Sequence, residues 1–257
     1  MAQTQTTDPE VALIVGAGPG ISASCARLFS AEGMKVAVAA RTPDKPAIQQ
    51  LEQSLGVTSY ACDAANPDDV DALFDAVATD LGSPRLVVHN IDGRMADIFR
   101  KGVTEADPEL VRQVLMNSAY SAFLVSRQAA ARMLAHDPAG SPTLHRGTII
   151  LTNASAAKKG YARSGAFAMA CQAKSGLAES MARELMPQGI HIASVPIDAA
   201  IGWRQDDGTR RHRMAGESKD DNMADPDSIA ETYLHLHRQH RSTWAFEVVL
   251  RPWVENW

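Results

Sequence analysis

Apolar residues along the chain fall into short continuous runs rather than into an alternating pattern. The first two runs are Val11–Val15 and Lys35–Ala40. A short apolar run without polar alternation is typical of a strand that is buried on both faces of a sheet. Further strands of this kind are predicted at 57–62, 85–90, 148–152, 190–196 and 245–250.

Segments with helical periodicity separate these runs. Helices are predicted at 21–31, 44–55, 67–81, 108–136, 164–186 and 226–239. Strands that are each followed by a helix form a parallel sheet covered on both faces. We therefore predict an α/β chain with a doubly wound parallel sheet of about seven strands and helices on both faces.

The domain organisation follows from the same pattern. Residues 1–9 are polar and are predicted to form a flexible leader, and residues 10–257 are predicted to form a single domain. The segment 203–225 is polar and irregular, and we expect it to be a lid over a substrate.

Composition and charge narrow the class of partner. The chain has 45% hydrophobic and 21% charged residues, which is typical of a globular protein, and a formal net charge of -5, which argues against a nucleic-acid partner. The three cysteines Cys25, Cys62 and Cys171 are odd in number and far apart, which favours a reducing compartment. Without a recognisable signal sequence or a spanning apolar stretch, we expect a cytoplasmic protein with no membrane partner.

A glycine-rich loop, Gly16-Ala17-Gly18-Pro19-Gly20, joins the first predicted strand to the first helix. Glycines permit a tight turn and allow the backbone to approach a pyrophosphate, and the following helix N-terminus faces the anion. Gly16, Gly18, Gly20 and Ile21 are therefore predicted to bind a dinucleotide. The alternative is a plain glycine-rich turn between strand and helix.

The second predicted strand ends at Ala40 and is followed by Arg41 instead of an acidic residue. An acid at this place would hydrogen-bond a ribose 2′-hydroxyl and select NAD(H). The forked guanidinium of Arg41 can pair with a 2′-phosphate instead. The sequence thus favours NADP(H) over NAD(H), with an ordinary surface arginine as the alternative.

The loop sequence VGAGPGIS at 15–22 resembles the TGxxxGxG loop of the short-chain dehydrogenase/reductase family, with Ser22 in place of the last glycine. The resemblance extends over 11–250 and implies a Rossmann fold. It also implies that Asp63 lies at the adenine ring and that Asn90 corresponds to the asparagine of an NNAG motif. Asn66 is close by, but it is better explained as the cap of the third helix.

Two catalytic positions of the family are retained. Asn117 fits the asparagine of the long fourth helix, whose backbone helps to hold a proton-relay water in the family. Lys174 fits the lysine of the YxxxK motif, which in the family binds the nicotinamide ribose and lowers the pKa of the tyrosine. The resemblance therefore implies that Asn117 is catalytic and that Lys174 serves both catalysis and cofactor binding.

Three positions depart from the family pattern. Ala170 stands four residues before Lys174, where the family has its catalytic tyrosine. An ungapped comparison puts Ala154 at the position of the catalytic serine, and a one-residue shift would bring Ser155 there. Trp203 falls near the position of a threonine at the nicotinamide, where a bulky ring would change the pocket.

Losing the tyrosine hydroxyl should cost about a hundred- to ten-thousandfold in rate unless another group replaces it. The substitutes with side-chain protons are Tyr161, His89, Cys171 and Asp198. Each also has a structural interpretation, namely a lid tyrosine, a packed histidine, a small buried cysteine and a turn-capping aspartate. Tyr161 and Ser155 therefore join Asn117 and Lys174 as candidate catalytic residues.

A histidine cluster at 235, 237 and 240 invites comparison with a metal site. His235 and His237 are two residues apart and so point to different faces of a helix, which argues against chelation of one metal ion. We interpret the cluster as a solvated helix end and predict no metal site.

The sequence leaves three functions open. One is an NADP(H)-linked oxidoreductase of the family that acts on a small carbonyl or alcohol substrate with a non-standard proton donor. Another is a non-redox descendant, such as an isomerase, lyase or cyclase. The last is a catalytically inactive binding protein with a vestigial cofactor pocket. The resemblance further implies a homodimer or homotetramer.

Overall fold

A computed structural model describes residues 9–137, 144–205, 207–212, 216–217, 219 and 221–255. Six parallel strands form its main sheet in the order β3-β2-β1-β4-β5-β6. The strands are β1 Val11–Val15, β2 Lys35–Ala40, β3 Thr58–Ala61, β4 Leu86–His89, β5 Gly147–Ala154 and β6 Ile190–Ile197. The strand order reverses between β1 and β4, which is where parallel sheets of this kind place their ligands.

Helices cover both faces of this sheet. They are α1 Ile21–Ala31, α2 Pro46–Leu55, α3 Pro67–Asp80, α4 Pro108–Leu115, α5 Ser121–Leu134, α6 Gly165–Leu185 and α7 Pro226–Arg238. Side chains of α3, α5 and α6 form one hydrophobic core against the sheet. Side chains of α1, α2 and α7 form the core on the other face. The predicted doubly wound α/β architecture is confirmed.

Caps fix where several helices begin. The side chain of Asn66 accepts hydrogen bonds from the backbone N–H groups of Asp68 and Asp69, and Pro67 occupies the first turn of α3. These contacts satisfy N–H groups that have no partner within the helix. The prediction that Asn66 caps this helix is confirmed.

The long helix predicted at 108–136 is interrupted in the middle. A π-helical turn, Met116–Tyr120, lies between α4 and α5. Gly93, in the loop after β4, packs directly against this turn with a φ of 71°, and a Cβ atom there would lie 2.7 Å from the Cβ of Ser118. The close approach explains why glycine is needed at position 93.

The seventh strand and the predicted lid differ in detail from expectation. Residues 245–250 run parallel to β6 and form backbone hydrogen bonds with residues from Ser194 to Asp198, but they do not make a continuous strand. The segment expected to be irregular contains a small antiparallel sheet of β7 Trp203–Arg204, β8 Arg210–His212 and β9 Gly216–Glu217. The predicted leader, apart from residue 9, and positions 206, 213–215, 218 and 220 of the lid lie outside the described residues.

The last turn of α7 is tied to the sheet. His237 is buried, with Nδ1 2.9 Å from Thr148 Oγ1 and Nε2 3.2 Å from a carboxylate oxygen of Glu10. The ring of His145 packs edge-on against it, and His145 Nε2 donates a hydrogen bond to the His237 carbonyl oxygen at 2.9 Å. The interpretation of His237 as part of a solvated helix end is therefore wrong, because the side chain joins two distant parts of the chain.

The three cysteines form no disulfide bond with one another. Cys25, Cys62 and Cys171 are all buried and unpaired. No helix in the described ranges has both the length and the apolar character that crossing a bilayer requires.

Candidate active site

A cleft of about 860 Å³ opens at the carboxyl ends of the six parallel strands. Because these ends meet at one edge of the sheet, residues that are far apart in sequence come together there. The sequence-predicted site residues that line this cleft are Gly16, Gly18, Gly20, Ile21, Arg41, Asp63, Asn90, Asn117 and Lys174.

The glycine loop after β1 is shaped by contacts on one side and open space on the other. Gly16 has a φ of 101°, and a Cβ atom there would lie 2.6 Å from the carbonyl oxygen of Asn90. The backbone N–H groups of Gly16 and Ala17 both donate to the Ala39 carbonyl oxygen. A Cβ atom at Gly18 would meet nothing within 4 Å. The loop therefore packs tightly at Gly16 and leaves room at Gly18 for a ligand to approach the backbone.

Ser22, which replaces a glycine of the family loop, links the loop to β4. Its hydroxyl donates to the Gly16 carbonyl oxygen at 2.8 Å and accepts a hydrogen bond from Asn90 Nδ2 at 2.7 Å. The serine thus fits the packing between helix and strand and adds hydrogen bonds to it. Sequence reasoning noted Ser22 only as a replacement of the last glycine and missed this network.

Charged side chains line the end of the cleft that lies beyond β2 and β3. Arg41 and Lys45 follow β2, and both line the cleft together with Thr42. Asp63 follows β3, and its Oδ1 accepts the backbone N–H of Ala65 at 3.1 Å. Two cations and one carboxylate at this end, with the open backbone at Gly18, could hold the adenosine side of a dinucleotide.

Lys174 lies at the opposite end of the cleft, on the face of α6 that also carries Phe167 and Cys171. The spacing of four and three residues puts the three side chains on one side of the helix. Lys174 is buried, and its Nζ donates to the carbonyl oxygens of Ile91 at 2.8 Å and Thr152 at 3.0 Å. Burial lowers the pKa of Lys174 to about 8.

The two family positions that should carry hydroxyl groups carry alanine. Ala170 is fully buried and belongs to an apolar cluster with Ile98 and Val114. Ala154 lines the cleft at the end of β5, whereas Ser155 begins a 3₁₀ turn, Ser155–Ala157, outside the cleft lining. The structure therefore does not bring Ser155 to the site, because β5 continues to Ala154 without the one-residue shift.

Tyr161 and Asp198 also lie outside the cleft lining. The Tyr161 side chain is 49% exposed, and the Nζ atom of Lys159 lies 5.9 Å from its ring centroid. Asp198 is buried and pairs with Lys159 at 2.9 Å and Arg251 at 3.6 Å. Hydrogen bonding to Asp198 raises the pKa of Lys159 above its ordinary value. In this structure neither Tyr161 nor Asp198 contributes to the cleft lining.

His89 and Cys171 behave as packed residues. His89 is fully buried, with Nε2 2.9 Å from Ser121 Oγ, and burial lowers its pKa well below the ordinary value. Ser121 in turn donates to the Asn117 carbonyl oxygen at 2.7 Å, so neutral His89 donates through Nε2 and supports the π-helical turn. Burial raises the pKa of Cys171 to about 11, which keeps its thiol protonated. The structural interpretations of both residues are confirmed.

Several residues at the end of the cleft that holds Lys174 (the catalytic end) were missed by sequence reasoning. Asp92 and Arg94 form an ion pair with Nε and Oδ2 3.1 Å apart, and the Arg94 guanidinium lies 4.4 Å from the ring centroid of Phe167. Trp203 and His212 of the small sheet also line the cleft, with ring centroids 6.0 Å apart. Only Trp203 had a signal in the sequence, because Asp92 departs from the NNAG motif and Arg94 and Phe167 belong to no motif.

The described residues offer few groupings of metal-ligating side chains. Within the ranges that the structure describes, no group of three or more His, Cys, Asp or Glu side chains is placed to hold a metal ion. His237 is occupied by Thr148 and Glu10.

Comparison with known sequences places most of the chain in one family. A family model described as enoyl-(acyl carrier protein) reductase matches residues 16–246. Momilactone A synthase from Oryza sativa subsp. japonica is 32% identical over 187 residues. These residues cover 72% of this chain but only 65% of that enzyme.

Solved structures agree with this placement. A short-chain dehydrogenase from Rhodopseudomonas palustris matches with a TM-score of 0.75 and 28% identity, covering 95% of this chain and 99% of that one. A metagenomic short-chain oxidoreductase in complex with NADP matches with a TM-score of 0.75 and 22% identity, covering 97% and 99%. At that level of identity the second match shows the shared fold alone.

Proposed function

Since this chain belongs to the short-chain dehydrogenase/reductase family, we propose that it is an NADP(H)-linked oxidoreductase. Its substrate is a small carbonyl compound or the corresponding alcohol, and its proton donor is not a tyrosine. The observation that carries this proposal is the single cleft that joins the glycine loop, the cations after β2, and Lys174.

The residues after β1 and β2 would hold the cofactor. The backbone N–H groups of Gly18, Gly20 and Ile21 would serve the pyrophosphate, and Asp63 would serve the adenine ring. Arg41 and Lys45 offset the charge of a 2′-phosphate, which is why NADP(H) is preferred over NAD(H). When bound, NADPH supplies the hydride for reduction of a carbonyl group.

Lys174 supplies the proton in this proposal. Its side chain lines the cleft, and the pKa of its ammonium group is about 8. An acid whose pKa lies near the working pH can release its proton and recover it. The carbonyl oxygens of Ile91 and Thr152 hold Nζ in place. Asn117 contributes through its position in the π-helical turn beside the cleft.

A non-redox or inactive protein is the second candidate, and a specific observation favours it. The positions of the family's tyrosine and serine are occupied by Ala170, which is buried, and Ala154, which lines the cleft. Neither side chain can polarise a carbonyl oxygen. A protein of this kind would keep the cofactor cleft without transferring hydride.

Calorimetric titration and a turnover assay separate these functions. We expect NADPH to bind with a dissociation constant well below about 1 mM, and the protein to transfer deuterium from labelled NADPH to a small aldehyde or ketone, detected by mass spectrometry. Lys174→Met should bind cofactor but lose most of the transfer. Absence of cofactor binding would exclude the oxidoreductase, whereas binding without transfer to any compound of a broad carbonyl panel would favour the second candidate.

The assembly expected from the family, a homodimer or homotetramer, belongs to the same proposal. Most apolar side chains of α5 are buried in the core, but Phe123 remains 46% exposed and stacks beside Tyr120. Light scattering coupled to size-exclusion chromatography measures the assembly, and a monomer at micromolar concentration would contradict it.

A further inference from the structure

Arg94 is held rigidly at the catalytic end of the cleft. Asp92 accepts the backbone N–H of Arg94 at 2.8 Å through Oδ1 and the guanidinium Nε at 3.1 Å through Oδ2. The guanidinium lies 4.4 Å from the ring centroid of Phe167, which also lines the cleft. A stacked, anchored guanidinium loses little conformational freedom when it binds a ligand.

The terminal edge of this guanidinium is available. In the part of the chain that the structure describes, the Arg94 side chain makes its hydrogen bond and ion pair through Nε alone, to Asp92. The two terminal nitrogens present parallel N–H donors, an arrangement that matches the two oxygens of a carboxylate. The side chain remains 38% exposed within the cleft.

The charges around Arg94 favour an anion. Arg94 and Lys174 line the same cleft as Asp92 and Cys171, so their charges act on a ligand bound there. With Arg94 and Lys174 positive, Asp92 negative and the Cys171 thiol neutral, this group of side chains carries a net positive charge at neutral pH. Such a site attracts a substrate with a negative group.

We propose that Arg94 determines substrate specificity by binding a carboxylate of the substrate, so that the protein acts on oxo acids or hydroxy acids. The assignment of a redox reaction to these acids rests on the function proposed above, whereas the binding of the carboxylate does not. Phe167 positions Arg94 through its ring, and Asp92 positions it through Nε.

Equilibrium binding of a matched pair of compounds tests this inference without any turnover. The probes are benzoylformate, an aromatic oxo acid, and benzoylformamide, its neutral amide of nearly equal shape, each titrated by calorimetry with and without NADPH. We expect benzoylformate to bind at least about tenfold more tightly to the unaltered protein, as a charge-assisted bidentate pair provides. Arg94→Gln should abolish this preference, and Arg94→Lys should restore it in part.

Arg112→Gln serves as the matched control, because Arg112 is an exposed arginine of α4 that pairs with Glu109 outside the cleft lining. It should retain the full preference for benzoylformate. The inference is overturned if the unaltered protein shows no preference, if neither compound binds, or if Arg94→Gln keeps the preference. NADPH binding measured on the same samples reports the cofactor site separately, so loss of the carboxylate site and loss of the proposed function are distinguishable.

Discussion

The hydroxyl group of Ser22 donates a hydrogen bond to the Gly16 carbonyl oxygen across 2.8 Å. Asn90 Nδ2 donates to the same hydroxyl, so replacement of Ser22 by alanine leaves two polar groups without this partner. We expect Ser22→Ala to lower the free energy of unfolding by about 1–2 kcal/mol, and to weaken NADPH binding through a looser loop. Urea unfolding followed by circular dichroism measures the first effect.

Ser54→Ala is the control for this prediction. The Ser54 hydroxyl also donates to a carbonyl oxygen, that of Gln50, but on the exposed surface of α2. Its removal should cost less than about 0.5 kcal/mol. Equal destabilisation by the two variants would contradict the role assigned to Ser22.

Arg41 sets the preference between the two nicotinamide cofactors in our proposal. Arg41→Gln removes the cation that faces a 2′-phosphate and leaves the rest of the cleft unchanged. We expect the affinity for NADPH to fall by about tenfold or more, equivalent to at least about 1.4 kcal/mol, while the affinity for NADH stays within twofold. Calorimetric titration of both cofactors supplies an internal control, and a parallel loss of both would show that Arg41 acts on the fold instead of the phosphate.

Ala170→Tyr, which introduces the tyrosine of the family, should lower the free energy of unfolding. Ala170 is fully buried beside Ile98 and Val114, so a phenol ring there would overpack the cluster at a cost of about 1–3 kcal/mol or more. Met169→Tyr, at a side chain that is 53% exposed, should change stability by less than about 0.5 kcal/mol. Urea unfolding of both variants checks this, and an Ala170→Tyr protein as stable as the unaltered one would show that the cluster has room.

Lys174 should make stability depend on pH in the alkaline range. Burial lowers its pKa to about 8 in the folded protein, from an ordinary value of 10.5. At a pH between these two pKa values, the unfolded chain binds more protons than the folded one. The contribution of Lys174 to the free energy of unfolding therefore rises with pH. The penalty for burying the ammonium is thus full below pH 8 and relieved above pH 10.5.

The difference between the unaltered protein and Lys174→Met isolates this effect. Relative to the variant, the unaltered protein should gain stability from pH 8 to 10.5, measured by urea unfolding at several pH values. Lys101→Met, at an exposed loop lysine, should show no such trend relative to the unaltered protein. A constant difference across the range for Lys174→Met would mean that the folded and unfolded chains bind this proton equally well.

Much of the fold could be predicted because it depends on local patterns. The apolar runs at Val11–Val15 and Lys35–Ala40 and the cap at Asn66 follow from periodicity and from hydrogen bonds between close neighbours. The edge segment at 245–250 was harder, because bridging to β6 depends on contacts with a distant strand. The burial of His237 depends on Glu10, which lies 227 residues away.

In the candidate site too, residues in local motifs could be predicted, whereas contacts between distant segments could not. The loop from Gly16 to Gly20 and the lysine at 174 carry motifs, and both line the cleft. The stacking of Arg94 on Phe167 joins a loop after β4 to a face of α6, which no spacing along the chain reveals. The placement of Ala170 in an apolar cluster likewise depends on Ile98 and Val114, which reach it only in the folded chain.

The position of Trp203 gives the protein an optical reporter of its own. Its indole lines the cleft beside His212, whereas Trp244 stacks on His191 near the amino end of β6 and Trp253 is 81% exposed. The excited indole of Trp203 can therefore transfer energy to a reduced nicotinamide, or be quenched by an aromatic acid that enters the cleft. Emission that falls on ligand addition, and that falls less in Trp203→Phe, would record occupancy in real time without any attached dye.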